Sequence, residues 1–217
     1  MSDLRELVVR WQRGWGVARG LPEAADLGAG LRVRCGQLGR DVEYFALDGA
    51  ASVAGLAGLV KREDEVTWLT VPTVEPERAA AAVEAAGLVV LKASEKLMVT
   101  ELSEQPRVPV PAGYRTETTI EGPVVRVELL DREGEVGARG TMGIAGADGI
   151  ADKIQTMPGH RRRGLGSAVM SALAEVAPAK HGILVASEDG QALYAKLGWR
   201  AVAGVLIAAP PGVRYPD

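Results

Sequence analysis

Apolar positions along this chain recur with two periods. Leu165, Ala168, Val169, Ala172, Leu173 and Val176 fall at helical spacing, which predicts an amphipathic helix with one face in a core, ended by Pro178. Gly149 to Met157 before it is a strand-length run stopped by a proline, and His181 to Ala186 after it is a short β-rich run. The N-terminal half reads in the same mixed way. Asp3 to Arg19 predicts a helix despite its glycines, Leu31 to Arg34 and Val42 to Leu47 predict strands, and Ala50 to Lys61 predicts a second helix. Val66 to Val71 then predicts a strand, and Glu75 to Ala86 a helix opened by Pro76 and acids and closed by Gly87. Leu88 to Leu91 and Glu95 to Leu102 read as two further strands. The prolines of Ser103 to Gly113 predict an extended, semi-rigid connector. Tyr114 to Thr119, Val124 to Asp131 and Glu135 to Ile144 follow as strands, the last two joined by a hairpin turn at Arg132-Glu133-Gly134. The expected division is an N-terminal region 1–103, a linker 104–113 and a C-terminal domain 114–217.

Between the strand ending at Met157 and the helix at Leu165 lies Pro158-Gly159-His160-Arg161-Arg162-Arg163-Gly164-Leu165-Gly166-Ser167. Glycines let a backbone pass close to a ligand, and a helix that starts there presents unpaired N–H groups and a positive dipole end to an anion. Three arginines at a helix N-terminus oppose the dipole, at roughly 0.3 to 1 kcal/mol for an exposed charge, so the turn is read as an anion site more readily than as a solvated face. A nucleotide P-loop is excluded because no lysine follows either glycine. A dinucleotide fingerprint is excluded because Val169 stands where a third small residue is needed, and no acid ends the next strand.

Composition narrows the class. A chain of 217 residues with 47% hydrophobic side chains can fill a core, and no apolar run reaches membrane-span length. The N-terminus lacks a secretory apolar block, so the expectation is a cytoplasmic protein without membrane association. The lone Cys35 has no internal disulfide partner and no histidine nearby, which argues against both a disulfide and a zinc site; no metal is expected. A net charge of −3 argues against nucleic-acid binding. The arginine-over-lysine and alanine/glycine-rich usage points weakly to a GC-rich bacterial source.

Arg161-x-x-Gly164-x-Gly166 resembles the acetyl-CoA pyrophosphate loop of the GCN5-related N-acetyltransferase (GNAT) family. The resemblance continues in Ser187-Glu-Asp-Gly-Gln-Ala-Leu-Tyr194-Ala-Lys-Leu-Gly198-Trp199, a short helix with a tyrosine followed by Gly-Trp, and so runs from Gly149 to Ile207. It implies an α/β (α+β) GNAT fold: a central mixed, mostly antiparallel sheet flanked by helices and splayed at two parallel strands. It implies acetyl-CoA as co-substrate, an amine acceptor as partner, and transfer by direct attack; a homodimer is common in the family. Residues carried over as cofactor-binding are Ile154, Thr156 and Met157 on the strand, Arg161, Arg162, Arg163, Gly164, Leu165, Gly166 and Ser167 in the loop, and Ser187, which also reads as a helix cap. Tyr194 matches the family's general acid; packing beside Leu193 and Leu197 is the alternative. Strand alternation puts Ile150, Asp152, Ile154 and Thr156 on one face, which makes Asp152 the candidate base, against a solvated strand end paired with Lys153. His160 reads as solvent-facing structure rather than a catalyst, and Trp11, Trp15 and Trp68 as core or interdomain packing rather than a ligand cage.

The family inserts two helices between its first two strands, where this chain has only Ile120 to Pro123. The acceptor wall is therefore expected from the N-terminal half or a second subunit. Aligning Gly87 with Gly198 sets Val83 opposite Tyr194 and outlines a degenerate internal repeat that has lost both loop and tyrosine, or else a generic αβ segment ending in glycine. Beside the enzyme reading stand a non-catalytic acyl-CoA sensor or partner-binding module, and a transferase for a longer acyl group.

Overall fold

A computed structural model describes residues 3–37 and 39–216. The chain forms two compact units: one from the residues up to 13, 21–97 and those from 201 on, the other from 14–20 and 98–200.

In the first unit, α1 (Leu4–Arg19) contributes its opening turns and is followed by β1 (Ala25–Asp26), β2 (Gly30–Gln37), β3 (Arg40–Ala46), α2 (Ala50–Val60), β4 (Thr67–Thr73), α3 (Pro76–Ala85) and the start of β5 (Val89–Glu101). β2 runs antiparallel to β3, β3 runs parallel to β4 over Val42↔Thr67 to Phe45↔Thr70, and α2 is the crossover. The last strand, β11 (Arg200–Ala209), returns here and pairs antiparallel with β4, Gly204 opposite Thr73. Leu56, Leu69, Val71, Val83 and Leu206 fill the core under α2 and α3. Where the sequence reads two strands in 88–102, the chain forms the single strand β5; Lys92 to Ser94 stay extended, since a half-exposed strand face accepts polar residues.

The second unit takes the end of β5 and then β6 (Arg115–Glu121), β7 (Val124–Leu130), β8 (Val136–Ala145), β9 (Asp148–Thr156), α4 (Leu165–Val176), β10 (His181–Ala186) and α5 (Glu188–Lys196). β6, β7, β8 and β9 form an antiparallel meander, and β10 adds parallel to β9. The sheet is mixed and mostly antiparallel, as expected. Val127, Leu129, Met142, Leu165, Val169, Leu173, Leu184 and Trp199 make the core beneath α4. The connector opens with a short 3₁₀ turn at Leu102–Glu104 and then runs extended. It is pinned to the unit: Gln105 Nε2 donates to the Met170 carbonyl at 2.9 Å, Trp199 Nε1 donates to Gln105 Oε1 at 2.8 Å, and the Val108 N–H donates to Ser171 Oγ at 2.9 Å.

β6 and β7 meet in a tight hairpin at Gly122, φ 55°, so no helices stand between them. On that face of the second unit lies the end of α1. The helix approaches β8 so closely that a Cβ on Gly143 would sit 2.3 Å from the Gly14 carbonyl oxygen and 2.7 Å from the Ala18 nitrogen. Both obstacles are helix backbone and cannot rotate away. Gly143→Ala should lower stability by about 1 to 3 kcal/mol in urea or thermal unfolding, the range for overpacked cores; an unchanged midpoint would contradict this contact.

The two units share an element order: antiparallel strand pair, crossover helix, parallel strand, helix. Both second helices end alike. Leu88 N–H donates to the Val83 carbonyl at 3.1 Å past Gly87 (φ 72°), and Trp199 N–H donates to the Tyr194 carbonyl at 3.0 Å past Gly198 (φ 83°).

Candidate active site

β9 and β10 are in register only at His181↔Asp148, Gly182↔Gly149 and Ile183↔Ile150. Beyond Ile150 the strands part, leaving one edge of β9 without a strand partner. Met157 N–H donates across to the Gly137 carbonyl of β8 at 2.9 Å, so by antiparallel alternation Ile154 and Thr156 turn their amide groups toward the gap. Met157 is a correction to the sequence reading. Its N–H is spent on Gly137 and its carbonyl accepts from His160 N–H at 2.9 Å, so it has no backbone donor to offer a ligand.

The predicted face of β9 is corrected as well. The β8–β9 register shifts between Arg139/Thr141, and Lys153 sits there with φ 53°, the left-handed region. This is a β-bulge, and one extra residue reverses which face the following side chains take. Ile150, near the Gly14 position, and Asp152 therefore lie on the α1 face, whereas Ile154, near Gly140 beside Val169 and Leu173, and Thr156, near Gly166, lie on the α4 face.

Asp152 is not a solvated strand end paired with Lys153. Arg19, the last residue of α1, grips it with both arms: Nε to Oδ2 at 2.7 Å and Nη2 to Oδ1 at 2.8 Å. The side chains are 18% and 12% exposed, and the guanidinium also lies over the Trp15 ring at 4.9 Å. The pair spans 133 positions of sequence, and no local signal announces it.

The loop at the end of β9 carries two left-handed residues, Arg162 at φ 62° and Gly164 at φ 80°. Such residues build backbone concavities for anions. Gly164 is the N-cap of α4 and gives no side-chain cap; the Ala168 N–H makes the first bond back to Gly164, so the N–H groups of Leu165, Gly166 and Ser167 precede the helix's own ladder. The nearest atom to a Cβ added at Gly164 is Pro111 Cγ at 4.0 Å, which keeps the approach open. Leu165 is buried and anchors the turn in the core, whereas Arg161 and Arg162 are exposed. Arg163 braces the loop, donating to Tyr114 Oη at 3.0 Å and to the Gly159 carbonyl at 3.1 Å. His160 is not solvent-facing. It is half-buried, with Nδ1 2.7 Å from Tyr114 Oη and Nε2 4.0 Å from Asp131, and it ties the loop to β6.

Ser187 occupies the N-cap of α5, where its carbonyl accepts from Gly190 and Gln191, but its exposed hydroxyl makes no capping bond. Tyr194 is 8% exposed and lies 6.1 Å from the Trp199 ring. Among the described residues its hydroxyl has no hydrogen-bond partner, whereas a buried phenol ordinarily finds one. Burial, and after it the nearby Asp152 charge, push its pKa up to about 12. The aligned residue in the first unit is the fully buried Val83, and α2 there starts at Gly49 without an arginine-flanked loop. Trp11, Trp15 and Trp68 are all buried.

Residues 124–201 match the sequence model of the Acetyltransferase (GNAT) domain. Over that segment the chain is similar in sequence to this domain. The fold as a whole is similar to a GCN5-related N-acetyltransferase from Kribbella flavida, at 18% identity over 98% of this chain and 97% of that one, TM-score 0.72. A GCN5-related N-acetyltransferase from Sphaerobacter thermophilus matches at 12% identity over 98% and 94%, TM-score 0.64. A tandem GNAT protein from the clavulanic acid biosynthesis pathway, solved without AcCoA, matches at 14% identity over 85% and 80%, TM-score 0.58. No curated protein matches the sequence. At these identities the likeness establishes the GNAT fold: a mixed sheet flanked by helices and opened between two parallel strands. No helix among the described residues is long and apolar enough to cross a membrane, and no cluster there could hold a metal ion.

Proposed function

We propose that this chain is an N-acetyltransferase that moves the acetyl group of acetyl-CoA to a primary amine by direct attack. The observation that carries the reading is the largely buried Tyr194, its hydroxyl without a hydrogen-bond partner among the described residues and within electrostatic reach of Asp152, which follows the point where β9 and β10 part. The loop from Arg161 to Ser167 would take the pyrophosphate on backbone N–H groups, with Arg161 and Arg162 as countercharge and Arg163 holding the loop in shape. The amide edges of Ile154 and Thr156 are available to pair with the amide-bearing arm of the cofactor, and Ser187 Oγ is free to contact it.

Tyr194 is proposed to donate its proton to the departing sulfur, and Asp152 to accept the proton of the incoming amine. A carboxylate has about four lone-pair sites, so one held bidentately by Arg19 can still accept from an ammonium. The end of α1, residues 14–20, is proposed to supply the acceptor wall that the β6–β7 hairpin lacks. The first unit is proposed as a degenerate GNAT-like repeat, on the shared element order and the matching helix closures.

The test is continuous release of free CoA from acetyl-CoA across a panel of amines. Amine-dependent release above the hydrolysis background is expected. Tight acetyl-CoA binding with no amine-dependent release would favour a non-catalytic acyl-CoA-binding module.

A further inference from the structure

Outside the residues given catalytic roles, the second unit holds a cleft of about 530 Å³ on the open face of β7, β8 and β9. Arg126, Glu128, Arg139, Thr141, Lys153 and Gln155 line it. The strand registers order them in two rows across the sheet: Arg126, Thr141 and Asp152 in one, Glu128, Arg139 and Gln155 in the next. The first row runs straight into the proposed base, and the second lies about 7 Å away, two residues along β7 and β8 and three along the bulged β9.

The charge in this cleft is uneven in a chain whose net charge is −3. Arg126 is held by Glu121 beside the hairpin. Arg139 donates from Nε and Nη2 to the neutral Gln155 Oε1 at 3.1 and 2.9 Å, and the cleft lining sets three cations, Arg126, Arg139 and Lys153, against the one carboxylate of Glu128. Lys153 enters the cleft from the bulge. A lysine gains nothing from the left-handed region, which is unfavourable for an L-residue and concentrates at functional sites. Glu128, half-buried and paired in register with Arg139, is the only carboxylate lining the cleft.

We infer that this cleft is an anion subsite for the acceptor, and that the acceptor is an amine carrying a carboxylate or phosphate group, its nitrogen at Asp152 and its anion on Arg139 and Lys153. The volume suits a small molecule. The inference rests on the acetyl-transfer reading for the amine's fate but not for the anion's binding. The rows are far enough apart that an amine and anion separated by several bonds fit better than glycine does.

The test is calorimetric titration of ω-amino acids of increasing chain length, each against its own carboxamide, with phosphoethanolamine against ethanolamine as the phosphate arm. The wild type should bind the best carboxylate or phosphate at least about tenfold more tightly than its neutral counterpart, as one charge-assisted hydrogen-bond set supplies. The exposed-site double variant Arg139→Gln/Lys153→Asn should lose that preference and keep its acetyl-CoA affinity. Asparagine tolerates the left-handed backbone. Equal affinity for acid and amide, or no binding by any anionic amine, would overturn the inference. So would a double variant that loses acetyl-CoA affinity instead, because its cations would then serve the cofactor's phosphates. Anion-dependent binding without CoA release would leave the subsite standing and overturn only the transfer reading.

Discussion

Tyr194→Phe should lower kcat by about 10²-fold while leaving acetyl-CoA affinity and folding stability nearly unchanged. The substitution removes only a hydroxyl that has no partner among the described residues, and the ring keeps its packing against Trp199. A phenol whose pKa is pushed up to about 12 stays protonated throughout the ordinary assay range. Full transfer of its proton to an ordinary thiolate, at about 8.5, is uphill, so in the proposed acid role the proton would move late, as the carbon–sulfur bond breaks and charge gathers on sulfur. The wild-type profile should accordingly show no alkaline loss from Tyr194 below about pH 11. The sign for stability follows from the raised value. The stability supplied by the neutral phenol is complete below the unfolded pKa of about 10 and is lost as pH rises toward 12, by roughly 2 to 3 kcal/mol in all. Tyr194→Phe should be spared that alkaline loss. Unchanged turnover in the variant would end the acid role and leave Tyr194 as core packing.

Asp152→Asn should cost about 2 to 4 kcal/mol of folding stability, because it removes the part-buried carboxylate that both arms of Arg19 grip. The same variant should lower kcat/KM by about 10²-fold. Arg19→Met separates the two effects. It should cost comparable stability, yet retain most of the turnover, since the carboxylate is still present. Near-wild-type kcat/KM in a folded Asp152→Asn protein would show that another group or a water chain accepts the amine's proton, leaving Asp152 as the residue that fixes α1 to β9.

What could be read from the sequence was what neighbouring residues decide. The amphipathic spacing from Leu165 to Val176, the glycines at 87, 164 and 198 and the Arg132–Gly134 turn each act within a few positions, and the structure has helix, left-handed glycines and hairpin there. Three features were out of reach for physical reasons. Lys153 in a left-handed bulge has no signature, because the residues that mark such a conformation are glycine and asparagine; strict alternation therefore put Ile154 and Thr156 on the wrong face. The Arg19–Asp152 clamp joins residues 133 apart, and either alone reads as a solvated charge. The pairing of β11 with β4 is likewise a long-range choice among similar apolar strands. The cleft at Arg139 could be glimpsed only once the strand registers placed Arg126, Glu128 and Arg139 on one face with Asp152.

Titration of the purified protein with acetyl-CoA by calorimetry, with Gly164→Val alongside, tests the central claim most directly. Valine has a Cβ and a branched side chain where the backbone holds φ 80°, at the proposed pyrophosphate turn, so it should block the approach and strain the turn together. Micromolar binding to the wild type, lost in a Gly164→Val protein that still unfolds cooperatively, is the predicted result. No binding by well-folded wild type, or equal binding by both proteins, would contradict an acetyl-CoA site at this loop.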